Sequence, residues 1–160
     1  MKNKNIVKLF FISILFAMAC KLYVKEKEEI DSILSKVSTL NNKTDIEEFK
    51  NYKGNLNELK ERFKDVSNAE LKEKLLKLQS SFQDKLAAKL AALREAKQKI
   101  ESISETDNTT AKTKIWAEAK LVGVTVKFSG SNTSGKGAEM SKEAVGQIDK
   151  IIEFLEEGTN

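Results

Sequence analysis

The sequence predicts an all-α fold: an elongated helical bundle of about four to five helices, with one long central helix and a Gly/Ser-rich loop before the last helix. Three observations point there. Apolar residues recur at steps of three and four over most of the chain, the period of one helix face. The 160 residues contain no proline, so nothing forces a break in a long helix. The stretch KLAAKLAALREAKQK, residues 85–99, is almost wholly strong helix formers.

The first segment is a leader rather than part of the bundle. MKNKNIVK supplies Lys2, Lys4 and Lys8, and LFFISILFAM follows as an apolar run. A run of about ten residues cannot span ~30 Å of hydrocarbon as a helix, but it suits the core of an export signal. It ends in Ala17-Met18-Ala19-Cys20, and Cys20 is the sole cysteine. Small residues before a cysteine resemble a bacterial lipobox, cut before Cys20, which then carries the lipid. Ala17 departs from the common pattern, which prefers Leu there. An ordinary signal would instead leave an unpaired thiol in an exported protein. The expected organisation is a removed lipoprotein signal over 1–19, a lipidated Cys20 with a short tether over 20–27, and a single helical domain over 28–158.

Ile30, Ile33, Leu34, Val37 and Leu40 mark the first amphipathic helix, which NNKT ends. Thr44 and Glu47 spell a capping box for the second. Phe49, Tyr52, Leu56, Leu59, Phe63 and Val66 then recur as a heptad seam. Gly54 lies inside it and weakens the helix by ~1 kcal/mol, which packing outweighs. Ser67 and Glu70 spell a second box before the long central helix. Its stripe runs Leu71, Leu75, Leu78, Phe82, Leu86, Leu90, Leu93, Ala96, Ile100 and Ile103. Successive steps of four near Phe82 and Leu86 depart from a strict heptad. SETDNTT reads as a loop, and AKTKIWAEAKLVG as a shorter helix with Ile115, Ala119 and Val122 on one stripe and Trp116 beside it. VTVKF alternates, but a strand without a partner is unstable, so an extended segment packed on helices is expected. SGSNTSGKG reads as a mobile loop. The last helix is expected to start at Ser141, with Met140 and Val145 as a hydrophobic staple. Val145, Ile148, Ile152 and Leu155 form its stripe, and Gly158 stops it. No internal repeat is evident.

Several function classes are excluded on these grounds. The whole chain carries 28 basic and 24 acidic residues, or +4. Removing the leader's three lysines leaves 25 against 24, so nothing in the charge balance points to nucleic acid. The chain has no histidine, which removes the usual proton shuttle and the commonest metal ligand. Gly130, Gly135 and Lys136 spell part of a phosphate-binding loop, but Gly137 stands where a hydroxyl must hold magnesium. Helical surroundings and export argue further against a nucleotide. Glu28-Glu29, Glu47-Glu48 and Glu156-Glu157 sit in alternating-charge stretches and read as solvated helix faces rather than acid/base pairs. No enzyme activity, cofactor or metal is expected. The acceptor triplets at Asn42, Asn108 and Asn132 read as incidental and fall outside the helical patterns. Trp116 reads as partly buried core rather than a ligand anchor, and a monomer is favoured over a coiled-coil dimer through the long helix.

The lipobox region, NELKERFKDVSNAELKEKLLKLQSSFQDKLAAKLAAL, KIWAEAKLVGVTV and the ending AVGQIDKIIEFLEEGTN together resemble the Rev surface lipoproteins of Lyme-disease spirochaetes. The resemblance runs essentially from end to end. It implies a lipid-anchored protein exposed on the bacterial outer membrane that binds host fibronectin, with laminin as a further ligand. It supplies no residue-level binding motif beyond the cysteine matching Cys20. Two binding modes are open: a helix face presenting Lys72, Lys74 and Lys77 to an acidic patch, or the 124–137 segment ordering on a partner. The alternative function is immune or complement evasion by capture of a serum protein.

Overall fold

The computed structural model describes residues 23–103, 107–128 and 137–157. Five α-helices account for most of them: α1 (Val24–Thr39), α2 (Ile46–Phe63), α3 (Ala69–Glu101), α4 (Asn108–Leu121) and α5 (Gly137–Glu156). No β-strand occurs among the described residues, so the all-α expectation holds. The leader, Cys20, the 129–136 loop and Gly158 lie outside the described residues.

α3 is the spine and packs against each of the other four helices. Its 33 residues extend about 50 Å at 1.5 Å per residue. Cross-helix contacts fix the directions. Lys27 pairs with Glu70 and Asp31 with Lys74, so α1 runs parallel to the start of α3. Arg62 pairs with Glu29, and Phe49 packs on Phe82 at 6.4 Å, so α2 runs antiparallel to both. Lys99 meets Glu118, and Lys89 reaches Val122, which sets α4 antiparallel to the second half of α3. Lys97 pairs with Asp149 and Arg94 with Glu156, which does the same for α5. The molecule is thus two three-helix bundles sharing α3, one with α1 and α2, the other with α4 and α5.

The seams form as the spacing predicts. Ile30, Val37 and Leu40 are buried on the first stripe, and Phe49, Leu56, Leu59 and Phe63 on the second. α1 begins at Val24 rather than 28, so the expected tether is helical over its last residues. The Lys27 N–H closes the first turn on the Tyr23 carbonyl, and the Lys27 ammonium pairs with Glu70.

Both capping boxes fall one residue from their expected place. Asp45, not Thr44, caps α2 and accepts from the Glu47 N–H at 2.8 Å. Thr44 instead accepts from the Asn41 N–H at 2.9 Å, closing the α1–α2 turn. Asn68, not Ser67, caps α3 and accepts from the Leu71 N–H at 2.9 Å. A run of adjacent polar residues offers several caps, and the one with non-helical backbone takes the role.

α4 starts at Asn108, inside the expected loop, because Asp107 caps it and accepts from the Thr110 N–H at 2.7 Å. The Asn108 triplet is therefore helical, while Asn42 lies in the α1–α2 turn. α5 starts at Gly137 rather than Ser141, so no staple forms at Met140. Gly137, Ser141 and Ala144 continue the buried stripe of Ile148, Ile152 and Leu155 backwards. Small residues on that stripe let α5 approach its neighbours, and the Ser141 hydroxyl lies 3.5 Å from the Ile103 carbonyl.

Candidate functional site

The C-terminal end of α4 sets up the most distinctive surface. Ala111, Ile115, Ala119 and Val122 bury one face of this helix. The helix stops in a Schellman turn: the Val124 N–H donates to Ala119 O at 2.9 Å and the Gly123 N–H to Lys120 O at 3.2 Å. Gly123 adopts φ 64°, which favours glycine. A Cβ there would also lie 2.4 Å from the Lys43 carbonyl oxygen. The chain then continues extended through 124–128, with Val124 and Val126 buried and Thr125 and Lys127 exposed. Gln147 of α5 clamps this segment. It accepts from the Lys127 N–H at 3.1 Å, and its own amide donates to the Lys127 carbonyl at 2.5 Å.

Trp116 flanks the buried face and remains 46% exposed. Its indole N–H donates to Val126 O at 3.2 Å, which fixes the ring while its polar edge is satisfied. Phe128 packs on it with centroids 6.2 Å apart. The Lys112 ammonium lies 4.7 Å from the Trp116 ring and 5.9 Å from Phe128, a cation–π arrangement. The result is an aromatic platform, rigid on its inner side and open to solvent on its outer side. The expectation of a partly buried core tryptophan captures the inner side only.

A second feature escaped the sequence reading. Lys89 is fully buried. Its ammonium donates to the carbonyls of Asn42 and Thr44 at 2.8 Å each and of Val122 at 2.7 Å. One lysine thereby ties the α1–α2 turn and the end of α4 to the spine, where the two half-bundles meet. Burial pushes it down from 10.5 to about 8, against the opposing pull of Asp45. Nearby charge and hydrogen bonding act elsewhere too. The Thr110 hydroxyl and N–H hold the Asp107 carboxyl below its usual range, and the Asp149 carboxylate raises Lys97.

The remaining sequence candidates do not gather into one site. Of the phosphate-loop look-alike, only Gly137 is described, and it opens α5 behind a lone extended segment rather than a parallel sheet. Glu29, Glu47 and Glu156 pair with Arg62, Lys50 and Arg94 on the surface. Lys74 binds Asp31 at 2.7 Å. The shallow depression around it mixes Lys77 with Glu70 and Glu73, so this face is not a basic patch. Among the described residues, no group of three or more Asp, Glu, His or Cys could hold a metal. No described helix is long and apolar enough to cross a membrane.

Comparison with known proteins agrees with this architecture. The sequence model of the family described as the Borrelia burgdorferi REV protein matches residues 1–157. A crystal structure of a Rev protein from Borrelia burgdorferi, at 1.80 Å resolution, superposes with a TM-score of 0.74 at 64% identity. The alignment covers 84% of this chain and 98% of that one. No curated relative matched. A family match over nearly the whole chain, together with a shared helical fold at this identity, places the chain in the Borrelia burgdorferi REV protein family.

Proposed function

We propose that this chain is a lipid-anchored adhesin of the bacterial outer surface, binding host extracellular matrix protein: fibronectin first, with laminin as a further ligand. Trp116 is the observation that carries the reading on this fold. A half-exposed tryptophan, fixed by its own hydrogen bond and backed by Phe128, matches the aromatic anchors that dominate protein interfaces. It needs no new ordering when a partner arrives, which limits the entropic cost of association. The reading asks for no catalysis.

The leader and Cys20 support the anchor, and the family match runs through them. Burial in lipid contributes ~0.8 kcal/mol per CH₂ and a single chain holds only marginally, so the several acyl chains of a bacterial lipoprotein make release negligible. Palmitate incorporation is expected in the native chain and absent in Cys20→Ser. Surface exposure is checked by protease shaving of intact cells, where full protection overturns the reading. Trp116→Ala should weaken fibronectin binding about thirtyfold, the effect of losing an interface hot spot. Unchanged affinity would move the contact elsewhere on the molecule. Recovery of a complement protein instead of matrix protein from serum would favour the evasion alternative.

A further inference from the structure

We propose that the Trp116 platform takes an extended acidic peptide segment, with acid, apolar and acid residues at positions j, j+2 and j+4. This rests on the adhesin reading and gives the partner's chemistry at that site.

The argument begins with charge. Lys112, Trp116 and Lys120 stand one above another at successive steps of four along α4. Lys127 joins them from the adjoining extended segment and is exposed. None of these three lysines forms an ion pair among the described residues, whereas Lys97 and Lys99 of α3 do. The only acid within α4 is Glu118, and it turns to Lys99. The platform is therefore an apolar centre between cations that meet no carboxylate among the described residues, and its electrostatic complement is acidic.

The second argument is register. Residues four apart on a helix are ~6 Å apart along its axis, which places Lys112 and Lys120 ~12 Å from one another with Trp116 midway. In an extended peptide, side chains two residues apart share a face and are separated by ~6.6 Å. An acid at j and another at j+4 are then ~13 Å apart, with the j+2 side chain between them. The two ladders match within about an ångström over this span. The apolar side chain meets Trp116 and Phe128, and the two carboxylates meet Lys112 and Lys120. Lys112 already lies over the indole ring, so pairing it requires a side-chain swing and no backbone movement.

Trp116 is the only tryptophan in the chain, so its fluorescence reports on this platform alone. The full chain in neutral detergent micelles is titrated with a blocked synthetic peptide carrying Glu-Thr-Leu-Thr-Glu. The expected result is a saturable emission change, weakened about tenfold or more at roughly 0.5 M salt. It should be lost in the Lys112→Gln/Lys120→Gln variant, whose substitutions lie outside the buried face of α4. A peptide of the same composition with its two acids adjacent should bind about tenfold more weakly, because it cannot span the lysines. The proposal is overturned by three results: no saturable change, equal affinity for both peptides, or a response to a heparin oligosaccharide but not to either peptide. Fibronectin binding that depends on Trp116 without a peptide response leaves the adhesin reading standing and removes this one. A peptide response without fibronectin binding does the reverse.

Discussion

Lys89 carries a charge into the core and meets it with three backbone carbonyls. The ammonium has three donors, so all are used. Lys89→Ala removes the buried stem and leaves those carbonyls without their donor. Both effects lower stability, together by about 3 kcal/mol or more, measurable by urea unfolding. Lys89→Met keeps most of the volume, so its smaller loss isolates the polar contribution. The titration has a definite sign. Because the folded-state value of about 8 lies below the ordinary 10.5, the unfolded chain holds more protons between those pH values. Stability should therefore rise with pH across that window, by at most ~3 kcal/mol, and this contribution stays flat below pH 8. The rise should be absent from Lys89→Met. A sequence signal for this residue exists. Phe82, Leu86, Lys89, Leu93 and Ala96 follow steps of four and three, so Lys89 occupies the seam position that Leu90 was expected to fill. Lysine in KLAAKLAAL reads as solvated because isolated burial of an ammonium is costly. The carbonyls that offset the cost come from distant turns.

At the scale of elements, Gly123 and Gly54 make opposite predictions from the same substitution. Gly123→Ala meets a left-handed backbone and the Lys43 carbonyl at 2.4 Å, so it should cost about 2 kcal/mol or more. Gly54 lies within α2 with nothing near a new Cβ, so Gly54→Ala should stabilise by about 0.5–1 kcal/mol. Thermal unfolding of the two variants separates the readings. The caps offer a finer test. Asp45→Ala and Asn68→Ala should each cost about 1 kcal/mol, whereas Ser67→Ala should cost little. The helices themselves were legible because their apolar period is long and regular. The spacing of Phe49, Leu56, Leu59 and Phe63 alone puts them on one buried face. Helix starts were less so: Gly137 and Ser141 read as loop and cap, since small residues reveal a buried stripe only once a neighbouring helix fills the space. Trp116 was visible as a residue beside a stripe. Its partners Val126 and Phe128 lie across the Gly123 turn, which periodicity does not describe.

For the whole molecule, the long seam of α3 is consumed internally: residues from Leu71 to Ile100 along it are buried by four other helices. A coiled-coil dimer through this helix would need a second apolar face, and Leu76 is the one large apolar side chain of α3 that is prominently exposed among the described residues. Analytical ultracentrifugation should accordingly return a monomer, with a concentration-dependent dimer as the contrary outcome. The parallel pairing of α1 with the start of α3 also sets a separation between the two ends of the molecule. With Cys20 in lipid, as proposed, α1 begins only a few residues above the membrane, and Lys27 beside Glu70 marks the foot of the molecule. Glu118 lies beside Lys99, about 43 Å further along the α3 axis at 1.5 Å per residue. Trp116 is therefore held at the end of a stiff post opposite that foot, at a separation that a flexible tether of similar length could not guarantee.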